Sequence, residues 1–466
     1  MSKKPERGFR RHARKSARAD AAANRPAEPT RAVQVAVHAI AAGGDGVARA
    51  DGLVIFLPRT APGDEGTADV VVRKNFARGE MRVLDRASPD RVTPGCAHYV
   101  KDRCGGCQLQ HISYPAQLEA KRTTVRDTLA RIGGHSVDAP AVTPSPEPWR
   151  YRTKLTLALR RTVERPAGVT GLAAASIGWR AGLHPYDDPS AVFALEDCPI
   201  TDERVLAAWA AILAAGPLLP HADALRGAVR LTSAGPALVV QGGRRWAAAA
   251  DFAAAVPELA ELWWAPEGER PRLLATGAGD TRADATAPTD MSDAGGGPGA
   301  SFAQVNTAVA DELRATVESL VLAHRPARVV DAYAGTGEYA RRLADAGVLV
   351  TALERDEAAV AWLAARLPAG SRTVAGAVED TLAGALPADV VILNPPRGGV
   401  DARVTGLLAA ARSGPRAIVY VSCDPATLAR DIARLPGWRI ASLHTFDMFP
   451  QTAHVETVCE LVPEAL

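Results

Sequence analysis

The chain has 466 residues, 47% hydrophobic and 23% charged, which is ordinary for a globular protein and too long for a single core. Its longest apolar run, Val205 to Ala215, is too short to cross a bilayer, and no apolar signal core follows the charged N-terminus, so no membrane association and a cytoplasmic location are expected. Net charge is only +2, and six cysteines in so long a chain exclude a disulfide framework.

Residues 1–31 hold ten Lys/Arg against three Asp/Glu without apolar periodicity, which predicts a disordered basic tail. Such a tail suits a nucleic-acid-binding arm and a merely solubilising one alike. Over residues 32–88, Val33, Val35 and Val37 alternate, Gly43-Gly44-Asp45-Gly46 turns the chain, and Val54 to Leu57, Val70 to Val72 and Met81 to Leu84 read as short strands. That spacing predicts a small barrel of the oligonucleotide-binding kind, decorated by Arg49, Arg59, Arg73, Lys74 and Arg78.

Residues 89–300 read as a central α+β domain. It opens with Cys96, Cys104 and Cys107, three thiols crowded enough to point to metal or catalysis, and continues into a helix from Pro115 to Ile132. Alternating segments at Leu155 to Leu159 and Ala237 to Gln241 mix with alanine-rich helices, and residues 277–300 have the composition of an exposed linker. From 301 to 466 strands and helices alternate, so the fold class is α/β with a doubly wound, Rossmann-like C-terminal sheet.

That last region carries the chemistry. Asp331-x-x-x-Gly335-x-Gly337 follows a strand and opens a helix, and Glu354 closes the next strand, 19 residues after Gly335. Glycines let backbone approach a ligand, and an acid at that strand end can accept both ribose hydroxyls. The pattern is typical of S-adenosylmethionine enzymes. Gly335-x-Gly337-x-x-Ala340 also fits a nicotinamide fingerprint, and a purely structural turn is a third reading. Asn394-Pro-Pro-Arg397 then ends an apolar strand at the edge where doubly wound folds bind ligands. Further on, Ala417 to Val421 reads as a buried strand and Ala426 to Leu435 as a helix. Asp424 suits its N-cap and Pro425 its first position, which sets Cys423 at a helix N-terminus where the macrodipole favours thiolate.

Gln304-Val-Asn306, Asp331 to Gly337, Glu354, Asn394 to Arg397, Ser422 to Asp431 and Asp447 to Glu456, taken in order, resemble the RNA uracil-5 methyltransferases. The resemblance covers residues 32–466. It implies a TRAM barrel at the N-terminus, S-adenosylmethionine held by Gln304, Tyr333, Gly335, Gly337, Glu354 and Asn394, a Cys423 nucleophile and a Glu456 base. It also implies a [4Fe–4S] cluster on Cys96, Cys104, Cys107 and Cys198, with zinc as the alternative metal. The implied product is 5-methyluridine in RNA, ribosomal ahead of transfer RNA, made by a monomeric enzyme. Two positions depart from the family pattern: Asn394 replaces its usual aspartate, and Cys96-x7-Cys104 is longer than its usual spacing. Asn-Pro-Pro also occurs in amino-group methyltransferases, which need no cysteine. An amino-group enzyme and a non-catalytic RNA-binding protein that has kept the fold are therefore the alternative functions. His454 is read as structural and Cys459 as a core thiol.

Overall fold

A computed structural model of the chain describes residues 30–162, 168–277, 304–410 and 414–464. The expected tail (1–29 of it) and nearly all of the expected linker lie outside the described residues. Five strands close the first barrel in the order β1-β2-β3-β5-β4. They are β1 (Arg31–Ile40), β2 (Gly46–Ala50), β3 (Leu53–Leu57), β4 (Glu65–Val72) and β5 (Phe76–Arg86). The period-two pattern is the cause: Val33, Val35, Val37, Ile55, Leu57 and Val70 fill the interior. Among its basic residues Arg59 does not face solvent as expected. Its guanidinium lies 3.9 Å from the centre of the Tyr99 ring and donates to the carbonyls of Tyr99 and Cys104, which ties the barrel to the cysteine segment.

After a two-residue strand, β6 (Val142–Thr143), seven strands form the central sheet. They are β7 (Lys154–Arg161), β8 (Trp179–Leu183), β9 (Phe193–Ala194), β10 (Ala224–Thr232), β11 (Gly235–Gln241), β12 (Glu261–Ala265) and β13 (Arg272–Thr276), ordered β13-β12-β11-β10-β7-β8-β9. One face, with Leu155, Leu157, Leu159, Leu225 and Val229, packs on the helix Glu203–Ala214. Gly227 is needed there, since a Cβ would stand 2.4 Å from the Trp209 ring of that helix.

The third sheet runs β16-β15-β14-β17-β18-β20-β19-β6. Its members are β14 (Arg328–Ala332), β15 (Leu349–Glu354), β16 (Arg372–Ala375), β17 (Val390–Leu393), β18 (Ala417–Ser422), β19 (Trp438–Phe446) and β20 (Glu456–Pro463). β14 to β18 are mutually parallel, and β20 inserts antiparallel between β18 and β19. Strands covered on both faces need unbroken apolar runs, and Val390–Leu393 and Ala417–Ser422 are buried throughout.

The segment after the cysteines is built into this third layer. The helix Tyr114–Thr128, capped by Ser113 with Pro115 in its first turn, continues as a π-helical turn Leu129–Gly133, close to the predicted span. Its Val125 and Leu129 share a core with Leu428, Ala429 and Ile432. β6 pairs with the outer edge of β19, Thr143 beside Phe446. Inside the join, Lys121 and Asp447 form an ion pair, 1% and 0% exposed, and the lysine also donates to the Phe449 carbonyl at 3.1 Å.

Candidate active site and cysteine cradle

The parallel strands change direction of succession between β14 and β17, the switch point at which doubly wound folds bind ligands in a crevice beyond the strands' C-terminal ends. β14 delivers Asp331 and Tyr333 to it, followed by the glycine turn, and β17 delivers Asn394. Glu354, ending β15, accepts from Gly335 N at 2.9 Å, Arg355 N at 2.8 Å and Asp356 N at 2.9 Å. These bonds fix the carboxylate where the glycine turn meets the second strand. Asp331 is fully buried. One of its oxygens accepts from Ala340 N at 3.0 Å, and the other has no partner among the described residues. Burial, with Glu354 and Glu338 adding to it, pushes this carboxyl up to about 7. Tyr333 is held at φ +65°, a left-handed conformation that a bulky residue adopts only when its surroundings force it. Gln304 is half-buried two residues before the Asn306 cap of the helix Thr307–Ala323, and no hydrogen bond ties its side chain to the crevice among the described residues.

Gly337 combines φ +73° with a position where a Cβ would meet Leu363 Cδ1 at 2.3 Å. Gly337→Ala is expected to cost about 1–2 kcal/mol from the left-handed backbone alone and to weaken cofactor binding further by moving the turn. Titration calorimetry beside a thermal melt separates the two effects. Undiminished cofactor affinity would show that the turn does not hold the ligand.

Cys423 sits in the two-residue link between β18 and the helix Pro425–Ile432. Asp424 caps that helix, accepting from Ala426 N at 2.8 Å, and Pro425 opens it, as the sequence predicts. β18 and β20 pair with Val421 beside Val458 and Ser422 beside Thr457. One step further along this register sets Cys423 across from Glu456. The buried Glu456 and Arg397 are the main charges acting on the thiol, and Arg397 is the main charge acting on Glu456. Three segments distant in sequence thus converge.

Burial opposes the activation of the Cys423 thiol that its helix position favours. Burial, reinforced by the Glu456 carboxylate, pushes it up to about 11, and Arg397 only partly offsets this. Burial pushes Glu456 itself up to about 8. Desolvation is the largest influence on both groups.

Asp431, which the sequence offers only as part of a motif, locks the site. Fully buried, it accepts from Val400 N at 3.0 Å and the Tyr420 hydroxyl at 2.9 Å, and pairs with Arg430 at 2.7 Å. It thereby clamps the loop after Asn394-Pro-Pro-Arg397 to the helix that follows Cys423. Gly399 permits the close approach, because a Cβ there would lie 2.3 Å from the Asp431 carboxylate.

Cys96, Cys104, Cys107 and Cys198 are buried and close enough that Cys198 and Cys96 act as charges on Cys104, and all three of these act on Cys107. Burial pushes Cys104 up to about 12 and raises the other three as well. Among the described residues no three His, Cys, Asp or Glu side chains are placed to hold one metal ion. The backbone nevertheless offers sulfur acceptors a set of donors: His98 and Tyr99 N–H at Cys96, Gly106 N–H at Cys104 and Ile200 N–H at Cys198. Four soft thiol donors with backbone amides aimed at them are a donor set of the kind that holds iron–sulfur clusters. Cys459 is wholly buried, as expected of a core thiol.

Fold and crevice together define a nucleotide-cofactor sheet of the methyltransferase type with a cysteine and a carboxylate at its edge. The family model "tRNA (Uracil-5-)-methyltransferase" matches residues 380–462. An uncharacterized RNA methyltransferase of Gloeobacter violaceus is 33% identical over 94% of this chain and 99% of its own length. The 23S rRNA (uracil(1939)-C(5))-methyltransferase RlmD of Alkalilimnicola ehrlichii is 30% identical over 94% of this chain and 98% of its own. The tRNA (uracil-54, C5)-methyltransferase of Pyrococcus abyssi, solved with S-adenosyl-L-homocysteine, shares the fold, with TM-score 0.62 at 23% identity over 92% of this chain and 99% of that one. The chain belongs to the RNA uracil-C5 methyltransferase family. No helix among the described residues is long and apolar enough to cross a membrane.

Proposed function

We propose that the protein transfers a methyl group from S-adenosylmethionine to C5 of a uridine in RNA through a covalent bond between Cys423 and uracil C6. The observation that carries this reading is the β18–β20 register, which brings Cys423 and Glu456 together at the edge of the cofactor crevice. Uracil C5 is too poor a nucleophile to take a methyl group unaided. Addition of the Cys423 sulfur to C6 moves electron density onto C5. The glycine turn, Glu354 and Asn394 would hold S-adenosylmethionine, which would supply an electrophilic methyl group with a neutral thioether as the leaving group. Glu456 then removes the C5 proton, the C5–C6 double bond re-forms, and the Cys423–C6 bond breaks to release the product. Arg397 lowers both groups toward ionisation, which favours the thiolate and the carboxylate that these steps require.

Ribosomal RNA is the substrate we favour, supported by the relatives named for 23S rRNA. The cytoplasm follows as the place of action, with the monomer as the working form. The barrel serves as a TRAM domain in this reading, and residues 89–300 and 301–466 act as the central and catalytic domains, with residues 114–143 joined to the catalytic sheet. Transfer of a labelled methyl group to RNA, followed by mass-spectrometric mapping of the modified base, tests the reading. A label found on an exocyclic nitrogen would overturn it.

The four-cysteine cradle is assigned to a [4Fe–4S] cluster that orders this part of the chain, since methyl transfer needs no electrons. Anaerobically purified protein is expected to contain iron and sulfide and to absorb broadly near ~400 nm through thiolate-to-iron charge transfer. Cys104→Ala and Cys107→Ala are expected to lose the iron and weaken RNA binding. Stoichiometric zinc without iron after anaerobic preparation would refute the assignment.

A further inference from the structure

We propose that the face of the central sheet turned away from the helix Glu203–Ala214 is a docking surface for the sugar-phosphate backbone of the RNA substrate, leading it to the catalytic crevice. The proposal rests on the RNA methyltransferase reading above. Alternation along β7 and β10 puts their leucines and valines on the packed face and Lys154, Arg160, Arg226 and Arg230 on the other. The ladder then sets like charges side by side: Lys154 pairs directly with Arg230, and Arg160 with Arg180. Directly opposed like charges destabilise a sheet. Among the described residues no carboxylate pairs with Lys154, Arg180 or Arg226. Arg230 is 5% exposed and has Glu261 and Glu338 as counter-charges, so it lies beneath the surface rather than lining it. Lys154 feels Arg230, Arg152 and Arg226 together, so the cations form one field. Between them stand Ala158 and Ala228, which keep the surface low.

The direction of the strip argues for its occupant. Near β7's start, Thr153 donates to Val305 O at 2.8 Å, and Arg230 feels Glu338, the first residue of the helix after the glycine turn. Arg152 extends the field toward His454, which also feels Arg397 and Asp424 beside the nucleophile. The far end, with Arg160, Arg180 and Arg226, is exposed. A surface with Arg160, Arg180 and Arg226 exposed at one end and the half-buried Lys154 and Arg152 toward a site for uracil matches a polyanion that must deliver one base. Phosphate contacts of this kind position RNA without reading its sequence.

The test compares full-length enzyme with Arg180→Glu/Arg226→Glu and with the neutral single variants Arg180→Gln and Arg226→Gln. Arg439→Glu, an exposed charge change on β19, is the control. The dissociation constant of a uridine-containing RNA is measured from low to high salt by fluorescence anisotropy. Each lost phosphate contact should flatten the log–log salt slope by about 0.7 on a single strand. The double variant should therefore lose about 1.4 in slope and on the order of tenfold in affinity at moderate salt, for all RNA sequences alike, with cofactor binding unchanged. Should the double variant not fold, the neutral variants read the same slope singly. Salt slopes equal to those of the wild type and of Arg439→Glu would overturn the surface. A wild-type enzyme that methylates no RNA would instead overturn the underlying reading.

Discussion

RNA carrying 5-fluorouridine at the target position is expected to form a stable covalent complex with this enzyme in the presence of S-adenosylmethionine. Fluorine at C5 cannot leave as a proton, so elimination fails and the bond from Cys423 to C6 persists. Cys423→Ala should abolish both the adduct and turnover. Glu456→Gln should retain addition and methyl transfer but stall at release, so that a complex accumulates even on ordinary uridine. The buried environment adds a pH signature. Glu456 keeps its proton up to about pH 8, and burial with the Glu456 charge holds the Cys423 proton to about 11. Turnover should therefore rise with pH through the region near 8 rather than level off below neutrality. Arg397→Gln removes the charge that lowers both groups and should move the rising limb to higher pH.

Stability responds with the opposite sign. The carboxyl of Glu456 is raised in the fold above its ordinary 4.5, so its contribution is fully present below that pH and is lost as pH climbs through about 8. Glu456→Gln should gain in melting temperature relative to wild type between those limits. Substantial methyl transfer by Cys423→Ala would end the covalent reading and move the protein to the amino-group class.

Lys121→Met should be the most damaging single change outside the crevice. It leaves the Asp447 carboxylate in the core with its cation removed, and Asp447 already has one oxygen without a partner among the described residues. Breaking a buried pair from one side costs about 3–5 kcal/mol. The loss should deepen as pH rises, because an unpaired buried carboxylate resists ionisation. Lys121→Met/Asp447→Asn should recover a large part of it. Chemical denaturation at two pH values measures all three quantities, and a loss below about 1 kcal/mol would show that water reaches the pair. The Glu456 loop should suffer in parallel. Gln451, two residues past Phe449, is held at φ +69° by Gln117, and its carbonyl accepts from Gln108 N at 3.1 Å and Leu109 N at 3.0 Å.

The catalytic sheet was legible because doubly buried strands must be apolar runs and because Asp424-Pro425 marks a helix start unambiguously. The barrel was legible through strict alternation at Val33, Val35 and Val37. Other features had no local signal. Lys121 looks like any surface lysine on a basic helix, and its partner lies 326 residues away. Arg59 reads as a surface cation, and only the fold reveals Tyr99 beneath it. Two-residue β6 is too short for any periodicity. The helix position of Cys423 is legible, but the burial and facing Glu456 that oppose its ionisation depend on a strand pairing that spacing alone does not specify.

β6 also imposes a timetable on synthesis. Thr445 Oγ1 bonds the Ala141 carbonyl just before β6, across a separation of 304 residues. At about 5–20 residues per second, β6 waits roughly 15–60 s on the ribosome for the strand it completes. During that interval the helix Tyr114–Thr128 has no Pro425–Ile432 helix to cover it, and Lys121 has no counterion. The nascent protein up to Asp424 must therefore remain soluble with an apolar helix face uncovered. Such a chain should depend on holding chaperones during translation and should refold slowly once diluted from denaturant.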